Sequence, residues 1–331
     1  VTLTTTALTA AIKQRATQLG FLACGIARLE PSRRAEALEA WLARGYAGTM
    51  RYLHRQARKR KQPAEIVPGA RVAVMVLERY PGREGPHPSP GSLPDDSGGA
   101  RAVRIAKYAR GRDYHLALGE RLRALAAFCT ARGARIARPF VDAGPVPERE
   151  LAERAGLGWI GKNTMLIRPG VGSFFFIGSV FTDLDLLPDP AFRIDHCGTC
   201  TRCLDACPTG ALVEPRVLDA TRCLSYLTIE QRGPIPEEIV PRLNGWAFGC
   251  DICNDVCPWN ERFASPEGPP EYAPRSSPPV SDPEYFERMD AATFRAQFGD
   301  TPLERAGLEG MRRNWRAAFA SLEASPPPAL T

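Results

Sequence analysis

The 331-residue chain has no apolar run long enough to cross a bilayer. Its longest apolar stretches, around Val72–Leu77 and Phe174–Val180, are strand-sized, whereas a spanning helix needs ~20 apolar residues. Histidine is scarce, with four in all. His54, His87 and His196 stand alone in sequence, which fits surface or packing residues better than metal ligands. No repeat of solenoid length is present. Val1–Leu8 is rich in threonine and forms neither a basic signal region nor a twin-arginine leader. The expectation is a cytoplasmic, monomeric protein with no membrane and no DNA partner, in a compartment where stable disulfides are rare.

What is present reads as an ordered soluble chain, 44% hydrophobic and 24% charged. Residues 6–19 pattern as a helix ended by Gly20, Phe21–Ala27 as a short strand, and Ser32 to about Arg44 as a helix. Arg71–Leu77 is a buried strand, and Pro81 to Gly99 a long loop. A strand-like stretch at Ala102–Tyr108 precedes an amphipathic helix striped by Leu118, Leu122, Leu125 and Cys129. Ile136–Val141, Met165–Ile167 and Phe174–Phe181 are further strand candidates, with a short helix from Pro147 to about Ala155. Residues 1–185 thus alternate helix and strand, in an α/β or α+β domain around one sheet. Residues 186–262 are organised by cysteine, and 263–331 are a Pro-rich wrap followed by helices.

The cysteines carry the strongest signal. Cys197-Gly-Thr-Cys200-Thr-Arg-Cys203-Leu-Asp-Ala-Cys207-Pro208 is the bacterial ferredoxin run C-x2-C-x2-C-x3-C-P. Three thiolates so close together can wrap one iron–sulfur cubane, and the fourth, turned away before proline, ligates another. Cys250-Asp-Ile-Cys253-Asn-Asp-Val-Cys257-Pro258 repeats the spacing with one cysteine missing, and Cys223 can supply it. This logic gives one four-iron cluster to Cys197, Cys200, Cys203 and Cys257, and a second to Cys207, Cys223, Cys250 and Cys253. Structural zinc prefers paired C-x2-C knuckles separated by a loop, a pattern this run does not follow. The remaining Cys24 and Cys129 fall in apolar stretches and read as buried small hydrophobes.

Charge is informative by distribution. The formal +6 counts thiols as neutral, and two clusters on thiolates would bring it to about +2. Arg51, Arg55, Arg58, Lys59, Arg60 and Lys61 form one basic run, and Arg101, Arg104, Lys107, Arg110 and Arg112 another. Such runs either bind phosphate backbones or are solvated faces.

Two motifs mislead. Gly156-Leu-Gly-Trp-Ile-Gly161-Lys162-Asn163 fits both GxGxxG and most of GxxxxGK[ST]. Nucleotide binding requires a strand before and a helix after, and here the predicted order is reversed. Asp113-Tyr-His115 with Gly119 has one residue too many for the corrinoid signature DxHxxG, so histidine ligation of cobalt is not expected from it.

The chain resembles the epoxyqueuosine reductases, cobalamin-dependent iron–sulfur enzymes of tRNA modification. The segments that carry the resemblance are Tyr108-Ala-Arg-Gly-Arg-Asp-Tyr-His115, Val141-Asp-Ala-Gly-Pro-Val-Pro-Glu-Arg149, Glu153 to Thr164, Leu224 to Glu230, Gly249 to Asn260, and Arg313-Asn314. The resemblance implies an α+β fold: an α/β-type cobalamin domain over 1–185, a ferredoxin-like two-cluster module over 186–262, and C-terminal helices over 263–331. It implies reduction of the epoxide of epoxyqueuosine, at the wobble position of the anticodon, to queuosine, fed by an external electron donor. Asp142 is implied as the proton donor. Arg60, Ala106, Asp142, Leu166, Ile177, Ser225, Cys250 and Asp251 are implied as cobalamin contacts, with Lys162 and Asn163 lining the same pocket. The basic runs and Arg232 would grip tRNA. The rival readings are another corrinoid iron–sulfur reductase of the dehalogenase type, and a plain electron-transfer ferredoxin.

Overall fold

The computed structural model describes residues 4–83, 102–275, 278 and 281–324. Most of the loop expected from Pro81 to Gly99, and with it His87, lies outside the described residues. The chain forms two compact units, and neither is continuous in sequence. One comprises Val1–Arg79 with Tyr114–Cys200, the other Tyr80–Asp113 with Thr201–Thr331. This differs from the consecutive division at 185 and 262. The described residues 80–83 and 102–113 pack with the cysteine-rich half, a long-range association that local patterning does not reveal.

The first unit is built on a four-stranded sheet. Its strands are β1 (Ala23–Arg28), β2 (Val72–Arg79), β3 (Ala137–Val141) and β4 (Phe175–Thr182), in the order β1-β2-β4-β3. All three pairings are antiparallel, with Ile26 opposite Val74, Met75 opposite Ser179, and Pro139 opposite Val180. This corrects the α/β-type expectation. Strands β2 and β4 are buried almost throughout, so they read as continuous apolar runs of the kind usual in parallel sheets. Helices cover both faces here as well, and the composition of a strand buried on both sides does not disclose its direction.

Helix α1 (Thr5–Gln18) is capped by the Thr4 hydroxyl, which accepts from the Ala7 N–H at 3.2 Å. Helix α2 (Ala35–Ala43) follows β1. Helix α3 (Tyr114–Ala131) buries Leu118, Leu122, Leu125 and Cys129, the stripe predicted from its periodicity. It lies so close to β4 that a Cβ on Gly178 would sit 2.7 Å from Leu122 Cδ1. On the opposite face, α4 (Glu148–Arg154) packs Leu151 and Ala152 against Ala27, Met75 and Leu77.

In the second unit, Trp246–Phe248 pairs in parallel with Arg104–Ile105. The strand-like stretch 102–108 is thus ordered as strand only at two residues, followed by a 3-10 turn at Lys107–Ala109. Helices α5 (Leu224–Ile229), α6 (Ala291–Phe298) and α7 (Gly307–Glu323) complete the unit. Phe286, Phe294, Phe298, Met311 and Trp315 form its core with Val103, Ile105 and Phe248. The rings of Phe286 and Trp315 meet edge to face at 5.1 Å. Arg313 and Asn314 tie α7 to α5: Arg313 donates to the carbonyls of Leu227, Gln231 and Gly233, and Asn314 Nδ2 to that of Thr228 at 2.6 Å. Among the described residues, no helix is long and apolar enough to cross a membrane.

Candidate functional site

In the first unit, functional groups gather where β3 ends. Asp142 leaves the strand at φ 42°, a left-handed conformation uncommon for a residue with a side chain. Two hydrogen bonds hold it there. Its backbone N–H donates to Glu148 Oε1 at 2.8 Å, and its Oδ2 accepts from the Tyr114 hydroxyl at 2.6 Å. The Arg60 guanidinium donates to the carbonyls of Gly144 at 3.1 Å and Val146 at 3.4 Å, which fixes the turn that follows. Its Nε–H is buried without a partner. The Tyr114 ring is stacked on Phe176 at 4.4 Å and on His115 at 4.3 Å.

Asp142 is exposed, while Glu148 is half-buried. Desolvation pushes the Glu148 carboxyl well above the usual range, and the Asp142 charge adds to this. The Asp142 N–H, Arg149 and Arg60 oppose the rise. Beneath the turn lies an apolar cluster that includes Val146, Leu166 and Leu151, with Ile177 packed against it.

In the second unit, Cys253 lies within electrostatic reach of Cys203, Cys207 and Cys223, Cys250 within reach of Cys223 and Cys253, and Cys223 within reach of Cys207. Backbone N–H groups are aimed at their sulfurs. Ala211 N–H donates to Cys207 Sγ at 3.3 Å. The N–H groups of Ser225 and Tyr226, with the Ser225 hydroxyl, donate to Cys223 as it enters α5, and Ile252 N–H donates to Cys250. Burial pushes the thiols of Cys223, Cys250 and Cys253 up, and the neighbouring cysteines push them further. Clustered thiols, three of them met by N–H donors, are a donor set suited to a polycationic core. No group of three or more His, Cys, Asp or Glu among the described residues is arranged to hold a single metal ion. All ten cysteines are free of disulfides.

Ala106, Ser225, Cys250 and Asp251 meet around these thiols. Ala106 N–H donates to the Phe248 carbonyl at 2.8 Å, and Lys107 N–H to Asp251 Oδ2 at 2.7 Å. Gly249 N–H, next to Cys250, donates to the Thr228 hydroxyl at 3.0 Å. Of the residues implied as corrin contacts, Arg60, Asp142, Leu166 and Ile177 belong to the first unit, and Ala106, Ser225, Cys250 and Asp251 to the second.

The misleading glycine loop is explained by its surroundings. Helix α4 precedes it, and the Trp159–Ile160/Leu166–Ile167 hairpin follows, the reverse of a nucleotide site. A Cβ on Gly158 would sit 2.2 Å from the Ile167 carbonyl oxygen, so close approach within the hairpin requires glycine. Lys162 Nζ donates to the carbonyls of Gly198 at 2.7 Å and Cys200 at 2.9 Å. Asn163 is buried and accepts from Met165 N–H at 3.2 Å. Arg232 donates to the carbonyls of Ala306 and Arg305 at 3.0 and 2.8 Å.

Sequence reasoning assigned no role to Tyr114 or Glu148. Both lie in the segments that carry the family resemblance, and that was the signal available.

The fold, the thiol set and the matched family together define a two-cluster iron–sulfur protein of mixed helix and sheet. Residues 196–260 match the 4Fe-4S double cluster binding domain, and residues 60–143 match the family described as epoxyqueuosine reductase QueG, DUF1730. The chain is 40% identical over 327 residues to the epoxyqueuosine reductase of Pseudomonas aeruginosa, covering 97% of this chain and 87% of that one. It is 43% identical over 321 residues to that of Gloeobacter violaceus, covering 94% and 96% respectively. A crystal structure of epoxyqueuosine reductase with a tRNA-Tyr epoxyqueuosine-modified stem loop superposes with a TM-score of 0.86 at 29% identity, over 96% of this chain and 82% of that one. The chain belongs to the epoxyqueuosine reductase family.

Proposed function

We propose that this protein reduces epoxyqueuosine in tRNA to queuosine. The reaction converts an epoxide to an alkene and releases its oxygen as water, so it consumes two electrons and two protons. The observation that carries the reading is the Asp142 carboxyl, presented at the end of a strand and held by Tyr114 and Glu148. An exposed acid locked by the surrounding side chains is suited to deliver a proton to a departing oxygen.

Two four-iron clusters and cobalamin, when bound, supply single electrons and a two-electron store respectively. Cys197, Cys200, Cys203 and Cys257 would hold one cluster, and Cys207, Cys223, Cys250 and Cys253 the other. The N–H donors on Cys207, Cys223 and Cys250 fit that role. Arg60, with one buried N–H unpartnered, fits an anionic or amide group of the corrinoid. Leu166 and Ile177 would offer it apolar surface, and Ala106, Ser225, Cys250 and Asp251 the cluster-side contacts. In this assignment residues 1–185 supply the acid and residues 186–262 the thiolates. The helices of 263–331 brace the thiolate segment through Arg313 and Asn314.

The substrate would be an anticodon loop whose modified base is splayed out of the stack. The basic run 51–61 folds as two short helices, Arg51–Arg55 and Ala57–Lys61. Arg58 pairs with Glu65 and Lys61 with Glu39, while Arg51, Arg55 and Lys59 remain exposed and suited to phosphates. Electrons would come from an external donor.

The test is mass spectrometry of tRNA nucleosides from cells lacking the protein. Accumulated epoxyqueuosine, reversed by the intact gene, is expected. Unchanged queuosine would overturn the reading.

A further inference from the structure

The loop Gly156–Asn163 touches the first cysteine run through two side chains. The Trp159 indole is 2% exposed, and its Nε1–H donates to Cys197 Sγ at 3.5 Å. Its orientation is set by Phe192, stacked at 5.8 Å, and His196, edge-on at 4.9 Å. The half-buried Lys162 ammonium spans the turn from Cys197 to Cys200, bonded to the carbonyls of Gly198 and Cys200. A lysine needed only for surface charge would extend into water. This one is pinned against a segment about to carry thiolates.

We infer that this loop sets the reduction potential of the cluster bound by the first cysteine run, with Trp159 and Lys162 as positioning residues. The inference rests on the reading that Cys197 and Cys200 ligate a four-iron cluster. When such a cluster accepts one electron from a donor, its net charge falls by one, and no proton or ligand need move. An N–H bond to a ligand sulfur, and a fixed cation beside the ligand turn, both favour the more negative state. Both therefore raise the potential and ease uptake of the electron.

The experiment is a dithionite titration of the anaerobically reconstituted holoenzyme, with the reduced clusters followed by electron paramagnetic resonance. Trp159→Phe keeps the ring and loses the N–H. Lys162→Met keeps the stem and loses the charge, and Lys162→Arg keeps the charge. In Trp159→Phe and Lys162→Met, one cluster's midpoint is expected to move to more negative potential while the other stays. Lys162→Arg is expected to stay near wild type. For Lys162→Met the expected shift is about tenfold in the reduced-to-oxidised ratio, or about 59 mV for one electron. Unchanged midpoints in both variants at full iron content would overturn the inference. If Lys162→Met assembles no first cluster, Trp159→Phe decides alone by the same criterion. Wild-type protein that binds no iron would instead remove the underlying cluster reading, a separate and recognisable failure.

Discussion

The Tyr114 hydroxyl donates to Asp142 Oδ2 across 2.6 Å, from a ring clamped parallel to Phe176. The pair joins the first turn of α3 to the end of β3, and two substitutions separate its contributions. Asparagine tolerates the left-handed backbone of residue 142, so Asp142→Asn removes the acid without straining the turn. Turnover is expected to fall by about 10²–10⁴-fold with iron and corrinoid content intact. Tyr114→Phe keeps the stack and loses the hydroxyl, so a smaller fall in kcat, about tenfold, is expected. Single-turnover kinetics alongside metal analysis checks both, and full activity in Asp142→Asn would remove that residue from the mechanism.

Glu148 gives the fold a pH dependence of definite sign. Its carboxyl is raised by desolvation and by Asp142, so the folded protein holds that proton more tightly than the unfolded chain does. The group's contribution is fully present below the ordinary carboxylate pKa, 4.5, and is lost as pH rises through the elevated folded value. Glu148→Gln removes the titration and should flatten this part of the stability–pH curve. Thermal melts of both proteins across acidic to neutral pH measure it. A parallel decline in the two would refute the assignment.

Gly178 marks the contact of α3 with the sheet. A methyl group there meets Leu122 at 2.7 Å and Leu118 at 3.4 Å. Gly178→Ala should cost about 1–3 kcal/mol through overpacking. Leu122→Ala alone should cost about 2–5 kcal/mol, and the double variant should lose less than the sum of the two, because the new methyl enters the space the leucine vacates. Chemical denaturation of the two single variants and the double variant closes the cycle.

Cys24 and Cys129 should be chemically quiet. Burial raises both thiols to about 12, with Asp189 adding to the effect on Cys24 and Lys13 opposing it. Thiolate-directed alkylation of the native protein near pH 8 should therefore leave both unlabelled, and labelling should appear only in denaturant. Mass spectrometry of peptides from the two conditions provides the check. Fast native labelling at either position would contradict the burial.

Much of the first unit was legible because its elements announce themselves locally. The stripe on α3, the end of α1 at Gly20 and the apolar runs of β2 and β4 need only their own residues. Strand direction and the allegiance of residues 102–113 were not legible. Both depend on partners distant in sequence, such as Arg104 opposite Trp246. At the candidate site, cysteine spacing picked out the segments whose thiols lie near one another, with Cys203, Cys207 and Cys223 all close enough to act on Cys253. The bond from Asp142 N–H to Glu148, and the grip of Lys162 on the carbonyls of Gly198 and Cys200, were hidden. A backbone N–H and a peptide carbonyl carry no residue identity for sequence to display.

The strip around Ile105 has a consequence for how the molecule is made. Val103 and Ile105 leave the ribosome long before Phe286 and Trp315, the residues they finally pack against. At about 5–20 residues per second, that strip of apolar surface waits on the order of tens of seconds. That strip stays uncovered on the nascent chain until the C-terminal helices emerge, and slowed translation after residue 113 should lengthen its exposure.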